Sequence, residues 1–382
     1  MIRVLEFADV INRYDFIDSI VRYADRRRFS VSVCVRSEES NIEQPDYGAE
    51  IQYAYLPGNS RRDALTTAWK VSELLRKWEI DILHAHHFEQ AIVGWLATRF
   101  YRKTKLVIGR HYSDAIYRNP SALKRKALLA IEQRINRDAA RIIVPSQMIL
   151  EILTVQQGVP ADKIDVVYYG FVPEKYSRPK DSEVDRVRSE FSTLDRFTIA
   201  NFSRYHEEKG HRFLLRAIAE LRQEIPEILA LFVGEGPERG NVERLIKELR
   251  LEGNVILTGW RRDALAIMAA ADIIVQSTLQ EAFSQVMCEA MWMSRPLVMT
   301  DVSGATDIIR DGENGLLIPK EDARAIASAI RLLYGDPALR ARLARAGREF
   351  VDNKLTIAKQ IIEYEKAFTR AAAAEFRRFQ SK

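Results

Sequence analysis

Residues 272–319 read DIIVQSTLQEAFSQVMCEAMWMSRPLVMTDVSGATDIIRDGENGLLIP, and this stretch decides the fold. Residues 272–275 and 297–300 are short apolar runs of strand length. Between them, residues 284–293 have the composition of a helix and a length that fits a crossover connection. Two strands joined by a helix form a βαβ unit, so both strands are expected to be parallel neighbours in one sheet.

Two carboxylates lie close to the start of this predicted helix. Glu281 falls in the loop before the helix, and Glu289 falls on it. The backbone N–H groups of residues 283–286 have no partner inside the helix, so they would point at whatever fills the crevice beyond the strand ends. Carboxylates that accept hydrogen bonds beside such a helix start suit a polyhydroxylated molecule that carries phosphate.

A second group of charges precedes this stretch. In the segment ANFSRYHEEKGHRFLLRAI, Arg204 follows a predicted strand and Lys209 precedes a predicted helix, while Gly210 allows backbone to approach a ligand closely. An arginine suits bidentate contact with phosphate, and a lysine acts as a compact point charge. The alternative interpretation is a pair of surface cations in a loop that also carries two glutamates.

The length, the apolar runs and the cysteines of the sequence limit the class of protein that it can encode. The 382 residues are enough for two or three domains. No apolar run approaches the ~20 residues of a membrane span, and no signal peptide is visible. The two cysteines, Cys34 and Cys288, form neither a zinc spacing nor a disulfide framework, so we expect a cytoplasmic location.

The net charge is +5, and the basic residues cluster, for example at residues 26–28, 102–105 and 124–126. Solvated helix faces are one explanation, and attraction to an anionic acceptor or to anionic lipid at the inner membrane face is the other. The second explanation allows peripheral membrane contact. Nucleic acid is not an expected partner, because no aromatic-basic platform or DNA-reading motif is present.

Strand-length apolar runs alternate with helical patterns along the chain, which predicts parallel sheets covered on both faces. The first set has strands at residues 2–7, 30–35, 51–56, 80–84, 106–109 and 141–145, with helices at 16–27, 64–78, 90–100 and 122–137. The second set has strands at 197–203, 228–234 and 255–258, with helices at 211–224, 242–249 and 264–270. Residues 172–196 are polar and charged, and we interpret them as an interdomain linker.

The combination of Glu-x7-Glu (Glu281 and Glu289), a strand led by Pro296, a Ser-Gly turn and DGENGLLIP resembles the donor site of family 4, group 1 retaining glycosyltransferases. The resemblance covers about residues 84–317. It implies an α/β fold of two Rossmann-like, doubly wound parallel-sheet domains that face a central cleft, the glycosyltransferase B fold. The acceptor-side domain would be residues 1–175, with a C-terminal helix at about 352–382 packing back on it, and the donor domain residues 176–351.

The same resemblance implies an activity. It indicates a hexosyltransferase that moves a sugar from a nucleotide-diphosphate sugar to a hydroxyl acceptor with retention of anomeric configuration. The acceptor would be a glycan, a polysaccharide precursor or a glycolipid, including a lipid-linked one, in cell envelope polysaccharide biosynthesis. We expect a UDP-sugar as co-substrate, with GDP- and ADP-sugars as alternatives, and no other cofactor. We expect no metal, because the sequence has no Asp-x-Asp signature.

The family's site positions fall on particular residues of this sequence. Arg204 and Lys209 match the paired cations at the diphosphate, and Glu281 and His111 match residues that contact or face the transferred sugar. Glu289 matches the carboxylate that accepts hydrogen bonds from ribose. The other donor-binding positions implied in this way are Gly234, Gly236, Trp260, Arg261, Ala282, Phe283 and Ser284.

Some of these motifs also resemble sites with other functions. FVGEGPERG mimics a dinucleotide fingerprint, but Pro237 interrupts it and its spacing is G-x-G-x3-G, so nicotinamide binding is not expected. His84, His86 and His87 suggest a metal site. Because adjacent strand positions point to opposite faces and no further ligand set is evident, we expect them to line a cleft or pack instead. For His111 the rival is a structural histidine at a strand end.

Two other functions remain open at the level of sequence. A sugar-nucleotide epimerase of the same fold would process the donor without an acceptor, although Glu-x7-Glu favours the transferase. A catalytically degenerate nucleotide-binding module is the other alternative. Its support is the segment ADVINRYD at residues 8–15, which stands where the family usually has a Gly-Gly loop.

Overall fold

The computed structural model describes residues 1–9, 15–37, 46–58, 63–112 and 121–374. The chain forms two compact units. The first contains Met1–Gly170 and the chain from Thr356 onward, and the second contains Phe171–Leu355. The boundaries predicted from sequence, 175/176 and 351/352, lie a few residues away from these.

The first unit is built on a seven-stranded sheet with the order β3-β2-β1-β4-β5-β6-β7, and neighbouring strands run parallel. The strands are β1 (Ile2–Ala8), β2 (Phe29–Ser37), β3 (Tyr53–Pro57), β4 (Ile82–His86), β5 (Lys105–Gly109), β6 (Arg141–Val144) and β7 (Ile164–Val166). Central strands of a covered parallel sheet are mostly apolar. Glu6 is an exception, because this carboxylate lies fully buried in the middle of β1.

The described residues of the first unit include six α-helices. They are α1 (Asp15–Tyr23), α2 (Ala64–Lys77), α3 (His87–Phe100), α4 (Ala122–Asp138), α5 (Gln147–Glu151) and, after the second unit, α14 (Ile357–Ala373). The last helix is fixed to the first unit by specific contacts. Glu365 Oε1 accepts a hydrogen bond from the Asp25 N–H at 2.7 Å, and Tyr364 and Phe368 are buried.

The second unit contains a six-stranded parallel sheet with the order β10-β9-β8-β11-β12-β13. The strands are β8 (Thr198–Phe202), β9 (Leu229–Val233), β10 (Val255–Gly259), β11 (Ile273–Gln276), β12 (Leu297–Thr300) and β13 (Leu316–Ile318). The helices are α6 (Asp181–Phe191), α7 (His211–Leu221), α8 (Arg239–Glu248), α9 (Ala264–Ala270), α10 (Gln285–Trp292), α11 (Ala305–Ile308), α12 (Ala323–Gly335) and α13 (Pro337–Lys354). The predicted α/β fold with two Rossmann-like parallel sheets is confirmed. In the described part of the chain, no helix has both the length and the apolar character needed to cross a membrane.

In each sheet the strand order reverses beside the first strand, between β1 and β4 in one unit and between β8 and β11 in the other. At such a point the loops that follow the two adjacent strands leave in opposite directions and open a crevice at the carboxyl edge of the sheet. In the second unit these loops carry Arg204, Lys209 and Glu281. The topology therefore brings three predicted site residues to one edge.

The interpretation of residues 172–196 as a linker was wrong for most of that segment. Helix α6 lies within it and belongs to the second unit. Val184, Val187 and Phe191 repeat at helical spacing and are buried. Because eight other positions of the helix are polar or charged, the three apolar ones did not stand out in the sequence.

Two short strands were not predicted, β7 (Ile164–Val166) and β13 (Leu316–Ile318). Each has three residues and pairs at the edge of its sheet, where β7 joins β6 and β13 joins β12. Three residues carry no periodicity that distinguishes a strand from a loop. Their existence depends on the neighbouring strand that supplies the hydrogen bonds.

Backbone contacts between glycines and neighbouring loops hold the carboxyl edge of the second sheet together. A Cβ atom on Gly210, which has a φ of +64°, would lie 2.1 Å from the carbonyl oxygen of Ser277. A Cβ on Gly234 would lie 2.0 Å from Ser203 O, and one on Gly236 would lie 2.4 Å from Tyr205 O. The loops after β8, β9 and β11 therefore touch backbone to backbone, which larger residues would prevent.

We expect Gly236→Ala to lower the free energy of unfolding by at least about 1 kcal/mol, because its new Cβ forces backbone to move. The matched control is Gly240→Ala, where an added Cβ meets no atom within 4 Å. That variant should be neutral or up to about 1 kcal/mol more stable, since alanine is the better helix former. Urea denaturation followed by circular dichroism measures both variants, and equal stabilities would contradict the close loop packing.

Candidate functional site

The loop after β8 is attached to the loop after β11 by side-chain and backbone hydrogen bonds. Ser277 Oγ donates to the carbonyl of Lys209 at 3.1 Å, and Thr278 Oγ1 donates to the carbonyl of Glu208 at 3.1 Å. The backbone N–H of Leu279 donates to the same Glu208 carbonyl at 2.6 Å. These bonds fix the position of Lys209 relative to the segment that leads to Glu281.

Lys209 and Glu281 form an ion pair at this edge. Lys209 Nζ lies 2.7 Å from Glu281 Oε2, and the two side chains are 20% and 25% exposed, so a ligand can reach both. Arg204 lies on the same loop as Lys209 and is exposed. The structure gives its guanidinium no ion pair with a described residue. One cation of this loop is thus paired with a carboxylate, and a second, Arg204, is exposed to an incoming anion.

Helix α10 positions the second predicted glutamate. Ser284 caps the helix, since its Oγ accepts a hydrogen bond from the Met287 N–H at 3.2 Å. Glu289, one turn further along, is half-buried and accepts a hydrogen bond from the Tyr176 hydroxyl at 3.1 Å. The carboxylate therefore already receives an O–H donor at the position where a ligand hydroxyl was predicted to bind.

Glu289 lines a pocket of about 410 Å³ in the second unit. The aliphatic part of the pocket lining comes from Ala264, Leu265 and Ala266 at the start of α9. Its charged lining residues are Lys175, Arg178, Arg262, Glu183, Asp263 and Glu289. Such a mixture of cations, acceptor carboxylates and aliphatic surface suits a ligand that is anionic at one end and ring-shaped and hydroxylated elsewhere.

Tyr176, Arg178 and Arg262 were not predicted as site residues, although all three line this pocket. Tyr176 and Arg178 lie in the polar stretch that was interpreted as linker. Only the folding of that stretch against α9 and α10 places them beside Glu289. These residues could have been suspected from the sequence, because an aromatic residue and several basic residues occur in a segment that has few apolar residues.

The side chains of Trp260 and Arg261 differ in how far they are already engaged by other residues. Trp260 is 68% exposed. The Arg261 guanidinium donates to both carboxylate oxygens of Glu190, at 2.6 and 2.8 Å, and to Asp263 at 2.8 and 2.9 Å. These hydrogen bonds, from Glu190 first, raise the pKa of Arg261. Its side chain therefore holds α6 to the loop after β10.

The segment Ala282, Phe283 and Ser284 can offer a ligand the backbone N–H groups at the start of α10. Phe283 and Ser284 are buried, and Gly304, with a φ of +78°, packs so closely that a Cβ there would lie 2.9 Å from Ala282 O. The first N–H groups of α10 have no intrahelical acceptor. The loop after β9 also packs closely through glycines. Because Gly234 and Gly236 have no side chain, this loop can lie against the backbone of Ser203 and Tyr205.

A separate cluster of titratable side chains lies in the first unit. Glu6 on β1 pairs in register with His84 on β4, and His86 lies two residues further along the same strand. Glu6 Oε2 is 2.9 Å from His84 Nδ1 and 2.6 Å from His86 Nε2. His86 Nδ1 is 2.9 Å from Nε2 of His111, whose Nδ1 contacts the Tyr169 hydroxyl.

This arrangement corrects part of the reasoning about the three neighbouring histidines. His84 and His86 point to the same face of the sheet, and Glu6 supplies a third group beside them. His87 is no longer in the strand, since it begins α3 with a φ of +63°. Glu6, His84 and His86 bring one ligand atom each within 4.8 Å of the others, so they have the composition of a metal site, although their polar atoms lie at hydrogen-bonding distances from one another.

His211, which the sequence analysis did not select, lies next to Lys209 at the start of α7. It is buried, and its Nε2 lies 2.8 Å from Ser203 Oγ, which donates to Asn201 at 2.8 Å. Burial first, and then the charge of Lys209, lower the pKa of His211 to about 4. The folded protein therefore keeps this imidazole neutral, whereas an unfolded chain would protonate it below its ordinary pKa of 6.5.

Because the pKa of His211 is depressed by folding, its contribution to stability is present above pH 6.5 and is lost as the pH falls toward 4. His211→Gln removes the titration but keeps a polar group near Ser203. We expect the wild type to lose about 2 kcal/mol more stability than this variant between pH 7.5 and pH 5. Thermal melting at both pH values measures the difference.

Ser203→Ala is the control for this prediction. It removes the hydrogen-bond partner but retains the buried imidazole, so its acid loss should match that of the wild type. An identical acid loss in wild type and His211→Gln would contradict the assignment of a depressed pKa to His211.

Two protein-family descriptions match the chain. Residues 16–175 match "Glycosyltransferase Family 4", and residues 196–336 match "Glycosyl transferases group 1". A lipopolysaccharide core biosynthesis glycosyltransferase from Rhizobium meliloti is 34% identical over 166 residues, which are 44% of this chain and 47% of that protein. The chain therefore matches about half the length of that relative.

A longer match is to the N-acetyl-alpha-D-glucosaminyl L-malate synthase of Bacillus anthracis, which is 25% identical over 304 residues, 79% of this chain and 77% of that protein. Among solved structures, an Anabaena protein, HepE, crystallised in complex with UDP-glucose, has a TM-score of 0.79 at 22% identity and covers 97% of this chain and 100% of its own. At that identity the likeness shows the fold alone. The two family matches, one in each half of the chain, and this shared architecture place the chain in the group 1, family 4 glycosyltransferases of the glycosyltransferase B fold.

Proposed function

We propose that this protein transfers a sugar from a nucleoside diphosphate sugar to a hydroxyl acceptor. The observation that carries the proposal is the Lys209–Glu281 ion pair at the carboxyl edge of one sheet. Arg204 lies on the same loop as Lys209, and Glu289 lies on the helix that follows Glu281. Each has the charge and hydrogen-bonding character that one part of such a donor requires.

Arg204 and Lys209 would bind the diphosphate. Expulsion of a nucleoside diphosphate builds negative charge on the leaving oxygens, so fixed cations at that point stabilise the transition state more than the ground state. Lys209 is already held by Glu281 at 2.7 Å and by the two loops around it. A preorganised cation of this kind needs little rearrangement when the charge develops.

Glu289 would accept hydrogen bonds from the ribose hydroxyls. The Tyr176 hydroxyl donates to this carboxylate at 3.1 Å and takes one of its acceptor positions. A ribose diol would take the other positions or replace that hydroxyl. The pocket beside Glu289 would accept the base, and we propose uracil because the solved relative of the same fold holds UDP-glucose. Guanine and adenine are the alternatives.

Glu281, and His111 of the first unit, would contact the transferred sugar. We propose retention at the anomeric carbon through a front-face mechanism, in which the leaving phosphate helps deprotonate the acceptor, and we propose that no metal takes part. Support comes from the family's Glu-x7-Glu positions and from the lack of an Asp-x-Asp motif in the sequence. Proton coupling constants of the transferred sugar test this point, since an inverted product would rule retention out.

The acceptor would be a lipid-linked or polysaccharide precursor of the cell envelope. The relative from Rhizobium meliloti is named for lipopolysaccharide core biosynthesis. The first turns of α4 also expose Leu123, Lys124 and Lys126, a combination suited to peripheral contact with an anionic membrane from the cytoplasmic side.

Calorimetric titration with UDP tests the donor site. Arg204→Ala should raise the Kd for UDP at least tenfold, because it removes a charge-assisted hydrogen bond to phosphate worth about 1.5–3 kcal/mol. Arg216→Ala is the matched control. Arg216 is also an exposed arginine, but it lies on the outer side of α7, and its loss should change the Kd less than about twofold.

Equal affinities for UDP in the wild type, Arg204→Ala and Arg216→Ala would contradict the diphosphate assignment. Binding of NAD in place of every nucleoside diphosphate would overturn the donor site itself. Binding of UDP with conversion of a UDP-sugar to its epimer, without transfer, would instead support the epimerase.

A further inference from the structure

A continuous line of hydrogen-bonding groups leads from the buried carboxylate of Glu6 to His111. We propose that Glu6 and His86 are positioning residues that hold His111 in one tautomer, with the proton on Nε2 and with Nδ1 as an acceptor for a substrate hydroxyl. The tautomer follows from the contacts and the protonation states along the line, whereas its use toward the donor sugar rests on the proposed function.

The line begins at a group that can only accept hydrogen bonds. Burial by itself would raise the pKa of Glu6, but attraction to His84 and hydrogen bonds from His84 and His86 lower it to about 2. Glu6 is therefore ionised at neutral pH, and a carboxylate has no proton to donate. The atoms that face it, His84 Nδ1 at 2.9 Å and His86 Nε2 at 2.6 Å, must both carry hydrogen.

The next step is His86. Burial, and after it the neighbouring His84, lower the pKa of His86 to about 3, so its imidazole is neutral and carries one N–H. That N–H is on Nε2 and points to Glu6. His86 Nδ1 therefore has a lone pair, and it lies 2.9 Å from His111 Nε2. A hydrogen bond at this distance requires His111 to donate from Nε2.

The last step is His111. Burial lowers the pKa of His111 well below its ordinary value, and the neighbouring histidines add to the effect, so this imidazole is also neutral. With its single N–H directed at His86, its Nδ1 accepts the hydrogen bond from the Tyr169 hydroxyl. Glu6 thus sets the direction of each hydrogen bond in the line, and the line ends at an acceptor nitrogen, Nδ1 of His111.

Packing keeps the line in place. The Phe16 ring of α1 lies 4.3 Å from the His111 ring and 4.6 Å from the Tyr169 ring, measured between centroids. Gly109 leaves the necessary space, since a Cβ there would lie 2.6 Å from His111 Nε2 and 2.7 Å from His86 Nδ1. Among the described residues, His84, His87 and Tyr364 are further titratable groups that face the cluster.

Solvent reaches this line at its outer end. His86 is fully buried, whereas His111 is only partly buried. A substrate hydroxyl can replace the Tyr169 hydroxyl as the donor to Nδ1 without any change of tautomer. An oxygen without a proton, such as a carboxylate or a carbonyl, cannot. The line would therefore select a sugar that presents an O–H at this point.

A metal bound by Glu6, His84 and His86 is the competing interpretation of the same groups. A cation on His86 Nε2 would replace the proton that the tautomer assignment needs. The 2.6 Å separation between Glu6 Oε2 and His86 Nε2 is a hydrogen-bond distance, and it favours a shared proton over a bridging ion. Stoichiometric metal in the purified protein, with a ring nitrogen shift of His86 typical of metal ligation, would overturn the proposal.

The test is a long-range proton–nitrogen correlation spectrum of the full-length protein with ¹⁵N-labelled histidine at pH 7. The sequence has six histidines, and the variants His86→Gln and His111→Gln identify the two resonance sets by their disappearance. We expect both His86 and His111 to be protonated on Nε2. A wild-type His111 protonated on Nδ1 would overturn the proposal without the need for any variant.

Glu6→Gln tests the cause. A carboxamide can donate to His86 Nε2, which moves the His86 proton to Nδ1 and makes His111 Nε2 an acceptor. We expect His111 to become protonated wholly or partly on Nδ1. Asp138→Asn is the matched control, since this carboxylate of the same unit bonds to Trp95 and Arg134 and should leave His111 unchanged. An unchanged His111 in a folded Glu6→Gln would also overturn the proposal.

The functional arm uses the same variants. In Glu6→Gln, kcat/KM for the nucleotide sugar should fall about tenfold, while the Kd for UDP, which lacks the sugar, should stay within about twofold. Equal kcat/KM in Glu6→Gln and Asp138→Asn would refute the role toward the sugar. If the wild type failed to bind UDP, the proposed function would fail, whereas the nitrogen spectra would still decide the tautomer.

Discussion

Three loops at the carboxyl edge of the second sheet lie so close together that no side chain fits between them. Gly210, Gly234 and Gly236 each place backbone where a Cβ would come within 2.4 Å of a carbonyl oxygen. The placement of the charged groups depends on this contact, because the same loops carry Arg204, Lys209 and Glu281. A wider separation of the loops would leave two cations and a carboxylate on unrelated parts of the surface.

The solvent exposure of the charged pairs decides how easily a ligand would displace them. The Lys209–Glu281 pair is about one-fifth to one-quarter exposed, and pairs with solvent access contribute roughly 0–1 kcal/mol to stability. In the proposed function a diphosphate would therefore compete for Lys209 at little cost, and Glu281 would then be released toward a sugar hydroxyl. Ribose would likewise compete with the Tyr176 hydroxyl for Glu289. In the first unit, by contrast, Glu6 is fully buried, and its hydrogen bonds hold the neighbouring histidines in place.

The sequence was sufficient where local pattern decides structure. Apolar runs and helical periodicity located the strands from β1 to β12 apart from β7, and the β11–α10–β12 crossover was predicted with its two glutamates correctly placed on loop and helix. It was insufficient where tertiary contacts decide. Three buried residues of α6 are masked by charged neighbours, so the helix was taken for a linker. Glu6 and His84 meet only because β1 pairs with β4 across a crossover, and no spacing in the sequence shows that pairing.

A crystal structure of the protein with UDP is the most direct test of the donor site. The diphosphate should lie between Arg204 and Lys209, the ribose hydroxyls should donate to Glu289, and the base should occupy the pocket beside Ala264 and Leu265. The Lys209–Glu281 distance should increase from 2.7 Å. A nucleotide bound elsewhere, with that ion pair intact and Glu289 still paired with Tyr176, would contradict the site.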